Sequence, residues 1–343
     1  MPSSKELPPS TAPWFPNQFI TNQFRTKHQV PPKDTDLSGK CVILTGANVG
    51  LGFECAHQLL FYKASRLIMG VRSSTKGEAA AAELRRQYPK ANIEVWVLDM
   101  SSYDSVRAFA ARAGNELHRL DIAIMNAGMA ASKFQVLPGT GHEETVQVNY
   151  YSTMLLSILL LPVLKQKSPV GVPGRLTIVT SMLSIASKFP QKKETPLLPS
   201  FDDKKFFDPV DIYPASKFLG QLFTWKLTDF VSADDVVVNL VEPGFIKGTA
   251  LHRDVPAFVK PFMYLFKASS ARTMKVGAST YIDAVAVKGK ESHGCCLMNW
   301  DITPYAPFQY TPEGKEVMDR LWRETLEEFN LIGVDANGIL KSS

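Results

Sequence analysis

Cys41-Val-Ile-Leu-Thr-Gly-Ala-Asn-Val-Gly-Leu-Gly52 is the stretch that decides the fold. Its first four residues make a short apolar run suited to a buried strand. Beyond it, Phe53, Ala56, Leu59 and Leu60 follow a helical period. Between the two, Gly46, Gly50 and Gly52 permit a tight reversal and a close backbone approach, with Leu51 inside the same turn. A helix that starts on such a turn offers free N–H groups and a partial positive charge, which is what a pyrophosphate requires. The spacing is G-x-x-x-G-x-G rather than G-x-G-x-x-G, so the reading rests on the strand before the turn and the helix after it.

Working outward, a second strand at Arg66–Val71 ends about twenty residues after the last glycine, where an acid would meet a ribose 2′-hydroxyl. Val71 and Arg72 stand there instead. A guanidinium matches a 2′-phosphate through paired hydrogen bonds, so NADP(H) is favoured over NAD(H). Lys76, one turn on, either adds a point charge or is a solvated residue at a helix start.

The same strand-then-helix rhythm continues. Ile93–Leu98 closes on Asp99 and is followed by a helix from about Tyr103 to Leu117. Asp121–Met125 ends in Asn126-Ala-Gly128, and a long helix over residues 143–166 carries Asn149 near its start. Arg175–Val179 ends in Thr180-Ser181, and Val236–Val241 ends in Glu242-Pro-Gly244. A helix over 271–287 and a strand over 293–298 complete the series. This alternation predicts a single α/β domain: a doubly wound, Rossmann-type parallel sheet of about seven strands with helices on both faces. Ligands bind such sheets at the carboxyl ends of the strands, where the glycine turn, Asp99 and Asn126 fall.

One helix start stands out. In Asp211-Ile-Tyr-Pro-Ala-Ser-Lys217, Tyr213 and Lys217 lie four residues apart and so on one helical face. The ammonium is then expected to lower the phenol's pKa from its ordinary value of about 10, making Tyr213 a general acid or base. Asp211 is the expected helix cap, and Phe218, Leu219, Leu222, Phe223 and Trp225 continue as an apolar face.

Around this core the chain divides into a Pro-rich arm over residues 1–37, a cofactor-binding domain over 38–300 and an extension over 301–343 with an amphipathic helix. Residues 188–211 read as a long insertion outside the core. Residues 245–275, with aromatics at 258, 262, 264 and 266, read as a lid over a hydrophobic substrate, as plain packing, or as a membrane-surface patch.

The 343 residues are 45% hydrophobic with a net charge of +5, the positive residues scattered rather than clustered, so no nucleic-acid footprint is present. The four cysteines and six histidines show no metal-ligand spacing, and no Gly-x-Ser-x-Gly elbow occurs. The apolar run Met154–Leu164 is too short to span a bilayer and suits a buried helix. No secretory leader pattern is seen, and a cytoplasmic protein is expected.

With Thr45-Gly46-x-x-x-Gly50-x-Gly52, Asp99, Asn126-Ala-Gly128, Asn149, Ser181, Tyr213-x-x-x-Lys217 and Pro243-Gly244 in this order, the chain resembles the classical short-chain dehydrogenases/reductases over about residues 38–300. It is similar both to filamentous-fungal members tied to secondary metabolism and to retinol-dehydrogenase-like members. The resemblance implies that Tyr213 is the catalytic acid/base, that Lys217 lowers its pKa and holds the nicotinamide ribose, and that Ser181 binds the substrate oxygen, with Ser184 as the alternative. It implies further that Asn149 holds a water in a relay to Lys217 and that no metal takes part. Asp99 would meet the adenine region, Asn126 and Gly128 would flank the cofactor, and Ile246 would lie on the nicotinamide amide.

The implied reaction interconverts a ketone or aldehyde and an alcohol on a small hydrophobic substrate with NADP(H). A polyketide or terpenoid pathway is one setting. A retinoid- or steroid-type dehydrogenase and a non-catalytic NADP(H)-binding regulator are the alternatives. The resemblance also suggests a homodimer through the helices at about 143–166 and 212–231, whose apolar faces could equally be ordinary core.

Overall fold

The computed structural model describes residues 2–248 and 270–342. The strands are β1 (Cys41–Thr45), β2 (Arg66–Val71), β3 (Asn92–Val97), β4 (Ile122–Met125), β5 (Gly174–Val179), β6 (Val236–Glu242), β7 (Cys295–Met298) and β8 (Asp301–Thr303). They form one sheet in the order β3-β2-β1-β4-β5-β6-β7-β8. Every pairing is parallel except β7 with β8. The order reverses between β1 and β4, and at such a switch point the loops diverge and leave a crevice. All five residues of β1 are buried, as its unbroken apolar run requires for a central strand covered on both faces.

The helices are α1 (Gly50–Phe61), α2 (Ser74–Gln87), α3 (Tyr103–Glu116), α4 (Glu144–Lys167), α5 (Ile212–Leu227), α6 (Met274–Ile282), α7 (Pro312–Leu331) and α8 (Ala336–Ser342). One core joins the sheet to α1, α2 and α6, and a larger one joins its other face to α3, α4, α5 and α7. Ser73 and Ser102 cap α2 and α3, accepting the N–H groups of Lys76 and Ser105. The 24-residue α4 is long and apolar enough to cross a membrane, but it is mostly buried within the fold.

Three expectations need correction. The sheet has an eighth strand: Asp301–Thr303 is short and its alternation too brief to read, yet it pairs with β7 through Met298↔Asp301. Asp211 sits at the start of α5 but does not cap it. Its carboxylate instead receives the N–H groups of Lys188 at 3.0 Å and Phe189 at 3.2 Å, tying the insertion to the helix.

Residues 188–211 are not outside the core. Their short 3-10 turns bury Phe189, Leu197, Leu198 and Phe201 in the larger cluster. The polar composition hid this, because the free N–H groups of Leu197 and Leu198 are satisfied by Glu324 of α7, at 2.9 and 2.7 Å.

The apolar faces read either as a homodimer seam or as ordinary core make contacts within the chain. Phe223 of α5 stacks on Trp322 of α7 with ring centroids 4.7 Å apart, the Tyr150 hydroxyl of α4 meets Thr325 at 2.5 Å, and α8 packs on α4.

Most of the expected lid, residues 249–269, lies outside the described residues. Its two ends are joined by a bridge between Ile246 and Arg272.

Candidate active site

At the carboxyl ends of the strands a cleft of about 590 Å³ brings together Gly46, Gly50, Leu51, Gly52, Arg72, Asp99, Asn126, Gly128, Ser181, Tyr213, Lys217 and Ile246. Three further candidates stand outside its lining. Lys76 is exposed on the first turn of α2, Asn149 is buried behind Gly128, and Ser184 faces a neighbouring groove.

The glycine turn is shaped by close approach. A Cβ on Gly52 would stand 2.2 Å from the Gly46 carbonyl oxygen and 2.5 Å from Asn126 Nδ2. Gly46 and Gly50 adopt φ of +67° and +61°, a region that costs other residues strain. Val49 begins α1 in an extended conformation and no side chain caps the helix, so its first N–H groups face the cleft. Asn126 bolts the crevice: Nδ2 donates to the Thr45 carbonyl at 2.9 Å and Oδ1 accepts the Tyr281 hydroxyl at 3.1 Å. Asp99 holds its own loop, accepting the Ser101 N–H at 3.0 Å and the Ser101 hydroxyl at 2.6 Å. Leu51 and Ile246 pack together against α6 at Gly277, where a Cβ would stand 2.5 Å from Ile246.

Across the cleft, Lys217 is buried and donates to the Val179 carbonyl at 2.9 Å. Burial pulls its ammonium down to about 8. Gly128 makes room for it, since a Cβ there would lie 3.3 Å from Nζ and 3.1 Å from Asn149 Oδ1. The Asn149 amide is spent on fixing this corner. Oδ1 accepts the Met129 N–H at 2.8 Å, while Nδ2 donates to the Met129 carbonyl at 2.8 Å and Ser216 Oγ at 2.9 Å. It stands on the Gln147–Tyr151 turn of α4, where the N–H of Ser152 reaches back five residues to Gln147.

Tyr213 is half-buried at the cleft floor. Burial pushes its phenol up to about 12, the hydrogen bond with Ser181 pulls the other way, and the Glu242 carboxylate adds to the rise. The expected lowering by Lys217 is therefore not the governing effect, because that ammonium is directed to the Val179 carbonyl.

The two candidate serines differ in what they are free to do. Ser184 Oγ donates to the Ser181 carbonyl at 2.6 Å and receives Gln221 Nε2 at 2.7 Å, so it braces the turn. Ser181 Oγ accepts the Leu183 N–H at 3.2 Å, lines the cleft and meets Tyr213.

Comparison with known proteins gives the chain a family. The short chain dehydrogenase family model matches residues 40–192. A short chain dehydrogenase/reductase of Annulohypoxylon moriforme, mfmJ, is 57% identical over 342 residues, covering 100% of this chain and 99% of that protein. The chain belongs to the short-chain dehydrogenase family. Another fungal member, the short chain dehydrogenase virL of Hypocrea virens, is 44% identical and covers 92% of each chain. Among solved structures, the fold is similar to that of a putative NAD(P) dependent gluconate 5-dehydrogenase from Beutenbergia cavernae with bound NADP. The TM-score is 0.60 at 21% identity, over 77% of this chain and 96% of that one.

This short-chain dehydrogenase adds parts to its cleft that sequence reading missed. Trp14, Phe15 and Phe19 of the N-terminal arm line it beside Phe245 and Glu242. Gln23 secures the arm: its Nε2 donates to the carbonyls of Phe245 at 3.1 Å and Ser270 at 2.7 Å, and its Oε1 accepts the Phe245 N–H at 3.1 Å. The aromatics set among the prolines of the arm are the only signal in the sequence, and they carry no place in the fold.

Proposed function

We propose that this protein is an NADP(H)-dependent carbonyl reductase or alcohol dehydrogenase acting on a small hydrophobic substrate. The observation that carries this reading is the convergence of Ser181, Tyr213 and Lys217 on the same cleft as the glycine turn and Arg72. The residues fit a dinucleotide. The uncapped start of α1 and the open space beside Gly50, where a Cβ would meet nothing within 4 Å, suit a pyrophosphate, and Arg72 suits a 2′-phosphate, with Lys76 a more distant charge. Asp99 would border the adenine, while Asn126, Gly128 and Ile246 would flank the nicotinamide. When bound, NADPH supplies the hydride, and the protein contributes orientation and electrostatics.

Ser181 donates a hydrogen bond to the substrate oxygen, and Tyr213 delivers the proton to that oxygen. With its pKa pushed up to about 12, Tyr213 is protonated throughout the neutral range, the state needed for reduction. Lys217, positively charged below about pH 8, steadies the anion left on Tyr213 and holds the ribose. Asn149 fixes the Met129 backbone and Ser216 beside Lys217, and is a positioning residue.

A place in fungal secondary metabolism belongs to the same proposal, supported by the fungal relatives. So does a reducing, cytoplasmic setting, supported by four buried free thiols. The covered faces of α4 and α5 favour a monomer over a dimer at those helices.

The test is Tyr213→Phe. NADPH oxidation with a carbonyl panel should fall about 10²–10⁴-fold, the usual worth of a general acid, while NADPH fluorescence quenching persists. Turnover equal to that of the wild type would remove Tyr213 from the mechanism.

A further inference from the structure

Glu242, the last residue of β6, lines the cleft without a part in the chemistry above. It is 2% exposed. Oε1 accepts the Met182 N–H at 3.4 Å, and Oε2 has no hydrogen-bond partner among the described residues. A buried carboxylate oxygen with no hydrogen-bond partner is costly, and burial pushes this carboxyl up against the opposing pulls of Arg272 and of the Gly244 and Met182 N–H groups. Arg272 does not supply the missing donor. Its terminal nitrogens donate to the carbonyls of Pro243 and Asn22 and to Asn299 Oδ1, and its Nε also lacks a partner among the described residues.

The carboxyl is close to the reacting groups. Met182, which holds it, directly follows Ser181, and its charge acts on both Tyr213 and Tyr281. The same cleft has an aromatic wall drawn from two distant segments. Ring centroids lie 6.0 Å apart for Trp14 and Phe19, 5.9 Å for Phe15 and Phe19, and 6.1 Å for Phe19 and Phe245. Aromatic faces at these spacings receive a flat ring by offset or edge contact.

We propose that Glu242 is a specificity-determining residue whose Oε2 accepts a hydrogen bond from a hydroxyl group on a flat aromatic carbonyl substrate lying against Trp14, Phe15, Phe19 and Phe245. The proposal rests on the carbonyl-reductase reading of this cleft and adds the substrate class. A site built to bond a substrate hydroxyl discriminates against the analogue without one, because its own buried group is then left unpaired.

The experiment measures kcat/KM with NADPH for benzaldehyde, the three hydroxybenzaldehydes and the three methoxybenzaldehydes, in the wild type, Glu242→Gln and Glu242→Ala. The wild type should prefer at least one hydroxybenzaldehyde over benzaldehyde by about 10- to 100-fold, as expected for a hydrogen bond to a charged acceptor. The matching methoxy compound, which cannot donate, should lose that preference in the wild type itself, so the result does not depend on a variant folding. In both variants the hydroxy-to-unsubstituted ratio should fall to within a few-fold of one, with NADPH quenching reporting an intact cofactor site.

A wild-type ratio near one, or a ratio unchanged in the variants, overturns the role of Glu242 while leaving the reductase reading standing. Absence of NADPH oxidation with every aldehyde overturns this inference, and extension of that failure to the wider carbonyl panel overturns the reductase reading as well.

Discussion

The two sides of the cleft are built by different means. On the side proposed for the cofactor, Gly46, Gly50, Gly52, Arg72, Asp99 and Asn126 stand at the ends of β1, β2, β3 and β4, each placed by the strand that immediately precedes it. On the side proposed for the substrate, Trp14, Phe19, Ser181, Tyr213, Glu242 and Phe245 come from segments separated by most of the chain. Outside the cleft lining, His142, just before α4, joins Asp202 of the insertion to Glu328 of α7. A turn at a strand end is a local device and leaves a local spacing. A wall assembled from an N-terminal arm, the turn after β5, the start of α5 and the end of β6 leaves no period at all.

The contrast predicts that the cofactor side is brittle at single backbone positions. Gly52→Ala places a Cβ 2.2 Å from a carbonyl oxygen fixed by the turn itself. Overpacking of this kind costs typically 1–3 kcal/mol, so NADPH affinity measured by fluorescence titration should fall by up to about 100-fold. Gly50→Ala is the control within the same turn, because a Cβ there meets nothing within 4 Å and only the φ of +61° opposes it. Its cost should stay near the lower strain value of about 1–2 kcal/mol. Equal losses at the two positions would mean that conformation, not close approach, governs the turn.

A smaller effect is expected at Arg72, which is exposed and therefore screened by solvent. Arg72→Asp should weaken NADPH by about ten-fold, at the low end for a charged hydrogen bond, and shift the ratio of kcat/KM values toward NADH. An unchanged ratio would detach the 2′-phosphate from β2. Nearly all of this side was legible: the strand ends, the glycine spacing and the basic residue at the end of β2 are readable from one short window each.

Legibility fails where a group's meaning lies in a distant partner. Asp211 reads as a helix cap, but its carboxylate serves Lys188 and Phe189. The insertion reads as solvent-facing, but Glu324 supplies the acceptors that let Leu197 and Leu198 be buried. Glu242 was visible only as the residue before Pro243-Gly244, and its unpartnered oxygen exists only once β6 lies beside the Ser181 turn.

The joint between the insertion and α7 should be sensitive to pH instead, through His142. Nδ1 lies 2.9 Å from Asp202 and Nε2 lies 3.1 Å from Glu328, while the ring stacks on Tyr151 at 4.0 Å. Burial alone would lower this imidazole's pKa, but the two carboxylates outweigh burial and push it up to about 9. A histidine raised in the folded state contributes stability that is fully present below its unfolded value of about 6.5 and is lost as pH rises through about 9. The shift corresponds to roughly 3 kcal/mol, or a few degrees in Tm for a chain of this size.

Two other groups titrate inside that window. Glu143, whose carboxyl burial pushes up to about 7, sheds its contribution before His142 does. Lys217, pulled down to about 8, acts in the opposite sense as pH rises above that value. The phenols of Tyr103 and Tyr151, pushed far up by burial, do not titrate there. The difference between wild type and His142→Gln therefore isolates the histidine. In calorimetry from pH 6 to 10, the wild type should lead the variant at the acid end and converge on it at the alkaline end. A constant gap would make His142 a packing residue, and the joint between α4, the insertion and α7 would then be held by its apolar contacts rather than by a proton.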